Sequence, residues 1–310
     1  MNWLKMYYIQ VKFKKGDFRY MKKFTKLISL FCLAAAFVLA SCSSPTSDGN
    51  PGGGNPGGGT GGGRAQVSGK IGKYGAPYVV GDIVFNDGSA TPYEEIAART
   101  TDPKITDAEK AAAIAVIFYV GTGLNSDVNG IPNNTTSRTL GVGLKHNING
   151  LKWCRYDSSI SYANGYSINI TTIKCTPTSG DKNGSDNYEQ MAEFEGINDT
   201  TTLSNYPAFQ FGKEYSTAAT AGTDYDTSGW YLPSLAELYA IYNVKTTVDA
   251  ASDLCSGSQF GSGWYWSSSQ YASHDKAACF LTFYSGVWNY ESKDSDFNCC
   301  IYVCAVRAFN

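Results

Sequence analysis

Histidine is scarce in this chain: His146 and His274 are the only two in 310 residues. Few general bases can be assembled from such a set, and the sequence carries neither a zinc-binding histidine pair nor a serine nucleophile elbow. Charge of either sign is also nearly cancelled, with 25 basic against 27 acidic side chains and a formal net charge of −2. Without a basic patch or tail, the counterion release that drives nucleic-acid binding is missing, and no nucleic-acid partner is expected. The glycine triplets between residues 52 and 63 are followed by no Gly-Lys-Ser/Thr and preceded by no strand, which excludes a phosphate loop. Past residue 42 no apolar run is long enough to cross a bilayer.

The one apolar run lies near the N-terminus. Met21-Lys22-Lys23 and Lys26 form a short positive segment, Leu27 to Leu39 are apolar apart from Ser29 and Cys32, and Leu39-Ala40-Ser41-Cys42 closes the run with small residues ahead of a cysteine. A secretory apolar region is about 7–15 residues long against about 20 for a spanning helix, so this stretch is an export signal. Its last four residues resemble the lipobox of bacterial lipoproteins. That resemblance implies that Cys42 is lipidated and becomes the mature N-terminus, on a membrane-anchored, surface-exposed, outer-membrane lipoprotein. Met21 is the better start, which makes residues 1–20 an over-extended N-terminus and 21–41 the signal peptide. Residues 42–66 are then a lipidated Gly/Pro-rich linker, whose reach is roughly 25 Å for about 20 flexible residues.

Residues 67–310 have the composition of a globular ectodomain, with 22 Tyr and 6 Trp in the whole chain. Aromatics with a polar tip suit binding surfaces and also fill irregular cores. Of nine cysteines, Cys32 leaves with the signal and Cys42 takes lipid, leaving an odd number that cannot all pair internally. Cys154 and Cys175 are a candidate disulfide, left open. Cys279, Cys299, Cys300 and Cys304 crowd the C-terminus at no zinc-site spacing. The carboxylates of Asp294-Ser295-Asp296 and Asp224-Tyr225-Asp226 read as solvated loop charges, with calcium conceivable. No metal, cofactor or catalytic residue is assigned.

Tyr78–Phe85 reads as a strand closed by the turn Asn86-Asp87-Gly88. Thr106-Asp107-Ala108-Glu109 is a capping box opening a short helix through Ala111–Ala113, and Val116–Val120 is a buried strand. Thr139–Leu144 is a second strand, residues 150–182 are irregular, and Asp186–Phe194 is helical. Ser234-Leu235-Ala236-Glu237 is a second capping box, opening an amphipathic helix with Leu235, Leu238, Tyr239 and Tyr242 on one face. Tyr265–Ser269, Cys279–Tyr284 and Tyr302–Phe309 are short strands, and the class is α+β. His146, between Lys145 and Asn147, is a loop or packing residue.

Five segments in order carry a resemblance: Gly229-Trp230-Tyr231-Leu232-Pro233-Ser234, Glu237-Leu238, Tyr265-Trp266-Ser267-Ser268-Ser269, Phe283 with Gly286, and Val306-Arg307-Ala308-Phe309. They are similar to the C-terminal domain of the Legionella collagen-like proteins and to related lipoproteins of Treponema and Fibrobacter. That family belongs to the formylglycine-generating-enzyme-like branch of the C-type lectin fold. Gly81–Phe85 and Gly141–His146 resemble its Treponema members, and within the family the chain is most similar to the variable proteins of diversity-generating retroelements. The resemblance implies a surface in about 264–310 whose residues are diversified at adenines to bind varied ligands.

An Asn codon randomised at its adenines reaches Tyr, Cys, Phe, Ser, His, Asp, Val, Ile, Thr, Ala and Asn, but not Trp, Lys, Glu, Gln or Met. The reachable types dominate the stretch: His274, Asp275, Cys279, Phe280, Thr282, Tyr284, Val287, Asn289, Tyr290, Ser292, Asp294, Asp296, Phe297, Asn298, Cys299, Cys300 and Tyr302. These are the candidate ligand-binding positions, whereas Lys276, Trp288, Glu291 and Lys293 fall outside the set and read as scaffold. A strand period of two turns Leu281 and Phe283 inward and Phe280, Thr282 and Tyr284 toward a ligand. Exposed Phe and Tyr beside Asp and Asn fit an extracellular ligand that is a protein. Two other readings remain: a non-diversified adhesive or structural surface lipoprotein, and a formylglycine-generating-type oxidase. The oxidase needs a cysteine pair from Cys299, Cys300 and Cys304, but family members carry Arg where Cys304 stands.

Overall fold

Among the described residues, two β-sheets and six helices are formed within the unit Gly61–Asn310, in an α+β arrangement. The computed structural model describes residues 64–125, 134–156, 182–195, 203–295 and 301–309. The signal segment, linker residues 42–63 with Cys42, Cys175, and Asp296, Phe297, Asn298, Cys299 and Cys300 lie outside these residues, whereas Arg64 at the end of the expected linker is ion-paired with Asp82. No helix among the described residues is long and apolar enough to cross a membrane.

The larger sheet holds β1 (Asp82–Phe85), β2 (Ala90–Pro92), β3 (Ala113–Gly121), β4 (Arg138–Gly143), β5 (Trp230–Tyr231) and β10 (Val306–Ala308). Its order is β2-β1-β3-β4-β10-β5, antiparallel throughout, so the chain's last strand sits between β4 and β5. The β-branched and aromatic run of β3 is its spine. Val116 and Phe118 pack into the main core with Leu235, Leu238 and Leu281, while Ile114, Ala115 and Ile117 meet Tyr215 and Trp230 on the other face. Burial on both faces explains the unbroken apolar sequence. The first strand is shorter than its sequence suggests, because Tyr78 to Val80 lie in the approach to the turn before Asp82.

The helices are α1 (Tyr93–Ala97), α2 (Asp107–Ala112), α3 (Asn187–Glu195), α4 (Pro207–Lys213), α5 (Leu235–Asn243) and α6 (Lys245–Leu254). Both expected capping boxes are present, Thr106 with Glu109 and Ser234 with Glu237. Each satisfies amides that a helix start leaves without partners. The face of α5 differs from expectation. Leu235, Ala236, Glu237, Leu238 and Ile241 are buried, Tyr239 faces solvent and Tyr242 is half-buried. Glu237 is inside because it does more than cap. Its carboxylate accepts from Arg138 Nη1 (3.2 Å), Tyr231 Oη (2.9 Å), Ser234 N (2.8 Å) and Gly184 N (3.1 Å), tying β4, β5 and the segment before α3 to one helix.

The smaller sheet is β8-β7-β6-β9, from β6 (Trp264–Gln270), β7 (Ala277–Thr282), β8 (Val287–Ser292) and β9 (Ile301–Tyr302). The β6–β7 and β7–β8 pairs are antiparallel and β9 joins β6 in parallel. The expected single strand Tyr302–Phe309 is thus two pieces serving different sheets, β9 in one and β10 in the other. Carrying the C-terminus across in this way joins the sheets through the buried Val303, Cys304 and Ala305.

Candidate functional site

The register of the smaller sheet decides which candidate residues can touch a ligand. Trp264 pairs with Thr282 and Thr282 with Val287, so these three side chains form a row across β6, β7 and β8. The next row on the same face is Trp266, Phe280 and Asn289. The opposite face carries Tyr265, Leu281 and Trp288, then Cys279 and Tyr290. Both faces are covered over β6 past its first residue, Trp264, and exposure grows toward the β8 edge.

Two of the expected ligand contacts are corrected by this arrangement. Phe280 is 5 % exposed and packs in a second core cluster with Trp153, Met191, Phe209, Trp266 and Ile301. Cys279 is fully buried against the main core. Period-two reasoning assumed one wet face, whereas residues around Trp153, α3 and α4 cover the second. Leu281 and Phe283 do point inward.

The remaining described candidates sort by position. Tyr284, in the β7–β8 turn, is 81 % exposed; Val287 is 59 % exposed and Tyr290 45 %. His274, Asp275 and Asn289 are also exposed, and Thr282, Ser292, Asp294 and Tyr302 are half-buried. Asp294 is pinned by Lys152 at 2.9 Å and accepts from Tyr156 N at 2.8 Å. Tyr302 meets the edge of Tyr265 at 5.6 Å. Tyr284, Val287, Asn289 and Tyr290 therefore make the open part of the surface, while Asp294 and Tyr302 contribute mostly to its support.

Of the four scaffold types, Lys276 is exposed and Glu291 half-buried, whereas Lys293 and Trp288 pack inward. Lys293 is fully buried, with its ammonium donating to Gln270 Oε1 and lying 4.8 Å from the centre of the Trp153 ring. Trp288 is half-buried against the main core. Two residues of the surface were not anticipated. Trp264 is 41 % exposed and stacks on Phe280 at 5.4 Å and 22°. Tyr271 lies flat on Tyr290 at 3.8 Å and 5°. The alternation of Trp264 with Trp266 was the available signal for the first, since a strand start at Trp264 puts both on one face.

The two groups weighed for chemistry lie inside the protein. His146 Nδ1 is 2.9 Å from Tyr265 Oη, its ring packs on Phe260 at 4.6 Å, and burial pulls its pKa down to about 3. It is a neutral core residue at physiological pH. Cys304 is fully buried and desolvation pushes its thiol far above the usual range. Burial therefore disfavours the thiolate, which is the nucleophilic state. Cys154 is buried, and Cys175, its candidate disulfide partner, lies outside the described residues. Among the described residues no group of three or more His, Cys, Asp and Glu is arranged to hold a metal ion.

Comparison with known proteins gives no relative: no protein-family model, no curated protein and no solved structure matches the chain.

Proposed function

We propose that this chain is a lipid-anchored cell-surface binding protein of the outer membrane, held through Cys42. On this reading it has a C-type lectin fold of the formylglycine-generating-enzyme-like branch and presents a retroelement-diversified surface to extracellular protein ligands. The observation that carries the proposal is the split along β7 and β8. Residues that an adenine-randomised codon reaches, Tyr284, Val287, Asn289 and Tyr290, are exposed on the edge hairpin, whereas two of the unreachable ones, Trp288 and Lys293, pack inward; the other two, Lys276 and Glu291, are exposed and half-buried. A binding surface that varies on a constant scaffold needs that separation. Exposed aromatics next to amide and carboxylate groups favour a protein ligand, because such residues anchor protein interfaces. Cys279 and Phe280 leave the contact set. The depth and protonated state of Cys304 give no support to the oxidase reading.

The test is the DNA beside the gene. The expected finding is a reverse-transcriptase gene with a near copy of the codons for about 264–310, differing at adenines, and differences at codons 284, 287, 289 and 290 among related strains. If no such copy exists, the diversification reading is overturned, and an invariant adhesive surface remains.

A further inference from the structure

Among the described residues β8 is one edge of the smaller sheet, and its outward backbone is closed by its own side chains. The direction of each backbone group follows from bonds on either side of β7. Cys279 C=O accepts from Ser267 Oγ at 2.7 Å, and Phe283 N–H donates to Gly263 O at 2.9 Å, so the odd residues of β7 face β6. Thr282 C=O accepts from Gly286 N–H at 2.8 Å, and Lys293 N–H donates to Lys276 O at 2.9 Å, so the even residues face β8. By the register Ala278 with Glu291, Phe280 with Asn289 and Thr282 with Val287, the backbone bonds of β8 to β7 come from Val287, Asn289 and Glu291. Trp288, Tyr290 and Ser292 must then turn their amides and carbonyls outward.

Two of those outward amides are occupied from within the strand. Tyr290 N–H donates to Asn289 Oδ1 at 2.8 Å, and Ser292 N–H donates to Glu291 Oε1 at 2.8 Å. A β8 made of Val-Trp-Asn-Tyr-Glu-Ser, flanked by exposed apolar groups, would otherwise be a template for another strand. We propose that Asn289 and Glu291 hold this edge shut, and that without them β8 pairs antiparallel with β8 of a second copy of this chain.

The second copy fits because the strand is complementary to itself. Pairing about a two-fold axis at Tyr290 sets Trp288 opposite Ser292 and Asn289 opposite Glu291 of the second copy. Both outward-facing sets meet in register and no two like charges oppose each other. The proposal stands on this geometry and not on retroelement diversification. If diversification does occur, Asn289 is within reach of change and Glu291 is not, so one of the two closures persists in every variant.

The experiment uses the full-length chain in detergent, with sedimentation velocity over a wide concentration range and amide hydrogen exchange at Tyr290 and Ser292. Wild type is expected to be monomeric, as is Glu291→Gln, which removes the charge but keeps the acceptor. Asn289→Val/Glu291→Val is expected to dimerise as concentration rises. In its dilute monomer the two amides should exchange about fivefold faster than in wild type, the scale of one lost hydrogen bond, and become protected in the dimer. A double variant that stays monomeric overturns the proposal, including one that instead captures an added extended peptide. So does a wild-type dimer in which these two amides are already protected, or dimerisation by Glu291→Gln, which would assign the effect to charge repulsion.

Discussion

Alanine at position 280 removes a phenyl ring that is stacked on Trp264 at 5.4 Å and meets Trp266 edge-on at 6.0 Å and 89°. Only 5 % of Phe280 is exposed, and α3, α4 and the Trp153 segment close over it. Phe→Ala at such a site costs about 3–5 kcal/mol from lost transfer energy and the cavity left behind. The broken ring contacts are part of that figure, at about 0.5–1.5 kcal/mol each in other proteins. An expected loss of about 4 kcal/mol would lower the melting temperature by roughly 10 °C in a domain of this size. Tyr284→Ala, at 81 % exposure in the adjacent turn, should stay within about 0.5 kcal/mol of wild type. Urea unfolding of both variants with a common slope measures the contrast. A cost under about 1 kcal/mol for Phe280→Ala would mean that the second face of the sheet is open. Phe280 would then belong to the ligand surface.

Other consequences are measurable. His146 is held neutral by burial, with a pKa of about 3 against 6.5 for the free side chain, so the unfolded chain binds one more proton between those values. Stability from this group is complete above the free value and is lost as pH falls, by about 3 kcal/mol at about pH 4. The stability difference between wild type and His146→Gln should shrink by that amount from neutral pH to about pH 4 in paired denaturation series; parallel profiles would refute it. Arg138→Met leaves the buried Glu237 carboxylate without its cation and should cost about 3–5 kcal/mol. In a double-mutant cycle, Arg138→Met/Glu237→Leu should cost clearly less than the sum of the single changes. Gly286 has φ 68°, and a Cβ there would run into the Tyr242 ring, so Gly286→Ala should cost about 2 kcal/mol by equilibrium unfolding.

Local chemistry made much of the fold legible. Both capping boxes, the β-branched run of β3 and the turn before Ser89 depend on neighbours within a few residues, and each is present where the sequence places it. What failed needed distant partners. The face of α5 was misread because Glu237 counts as polar in a periodicity, yet Arg138, nearly a hundred positions earlier, and Tyr231 bring its charge inside. Phe280 was misread for the same reason: its cover comes from Trp153, Met191 and Phe209, and no feature within β7 announces it. The division of residues 301–309 between two sheets is likewise set by which strands reach them, β6 on one side and β4 with β5 on the other.

The position of β8 in the sheet is what makes variation there cheap. Its attachment to β7 runs through the backbones of Val287, Asn289 and Glu291, and backbone bonds are indifferent to the side chain carried. The side chains that do hold it are Trp288 against the main core and Lys293 under Trp153. Neither amino acid lies within reach of an adenine-randomised Asn codon. At Tyr284 and Val287 a change alters what a partner meets while removing little buried area, at Tyr290 it also removes the ring stacked on Tyr271, and at Cys279 and Phe280 it opens a cavity between two layers. If the proposed diversification occurs, it should therefore concentrate on the turn and the edge strand. At positions 279 and 280 the amino acids that persist should be apolar and close in volume to those now present, since fold stability selects there before any ligand does.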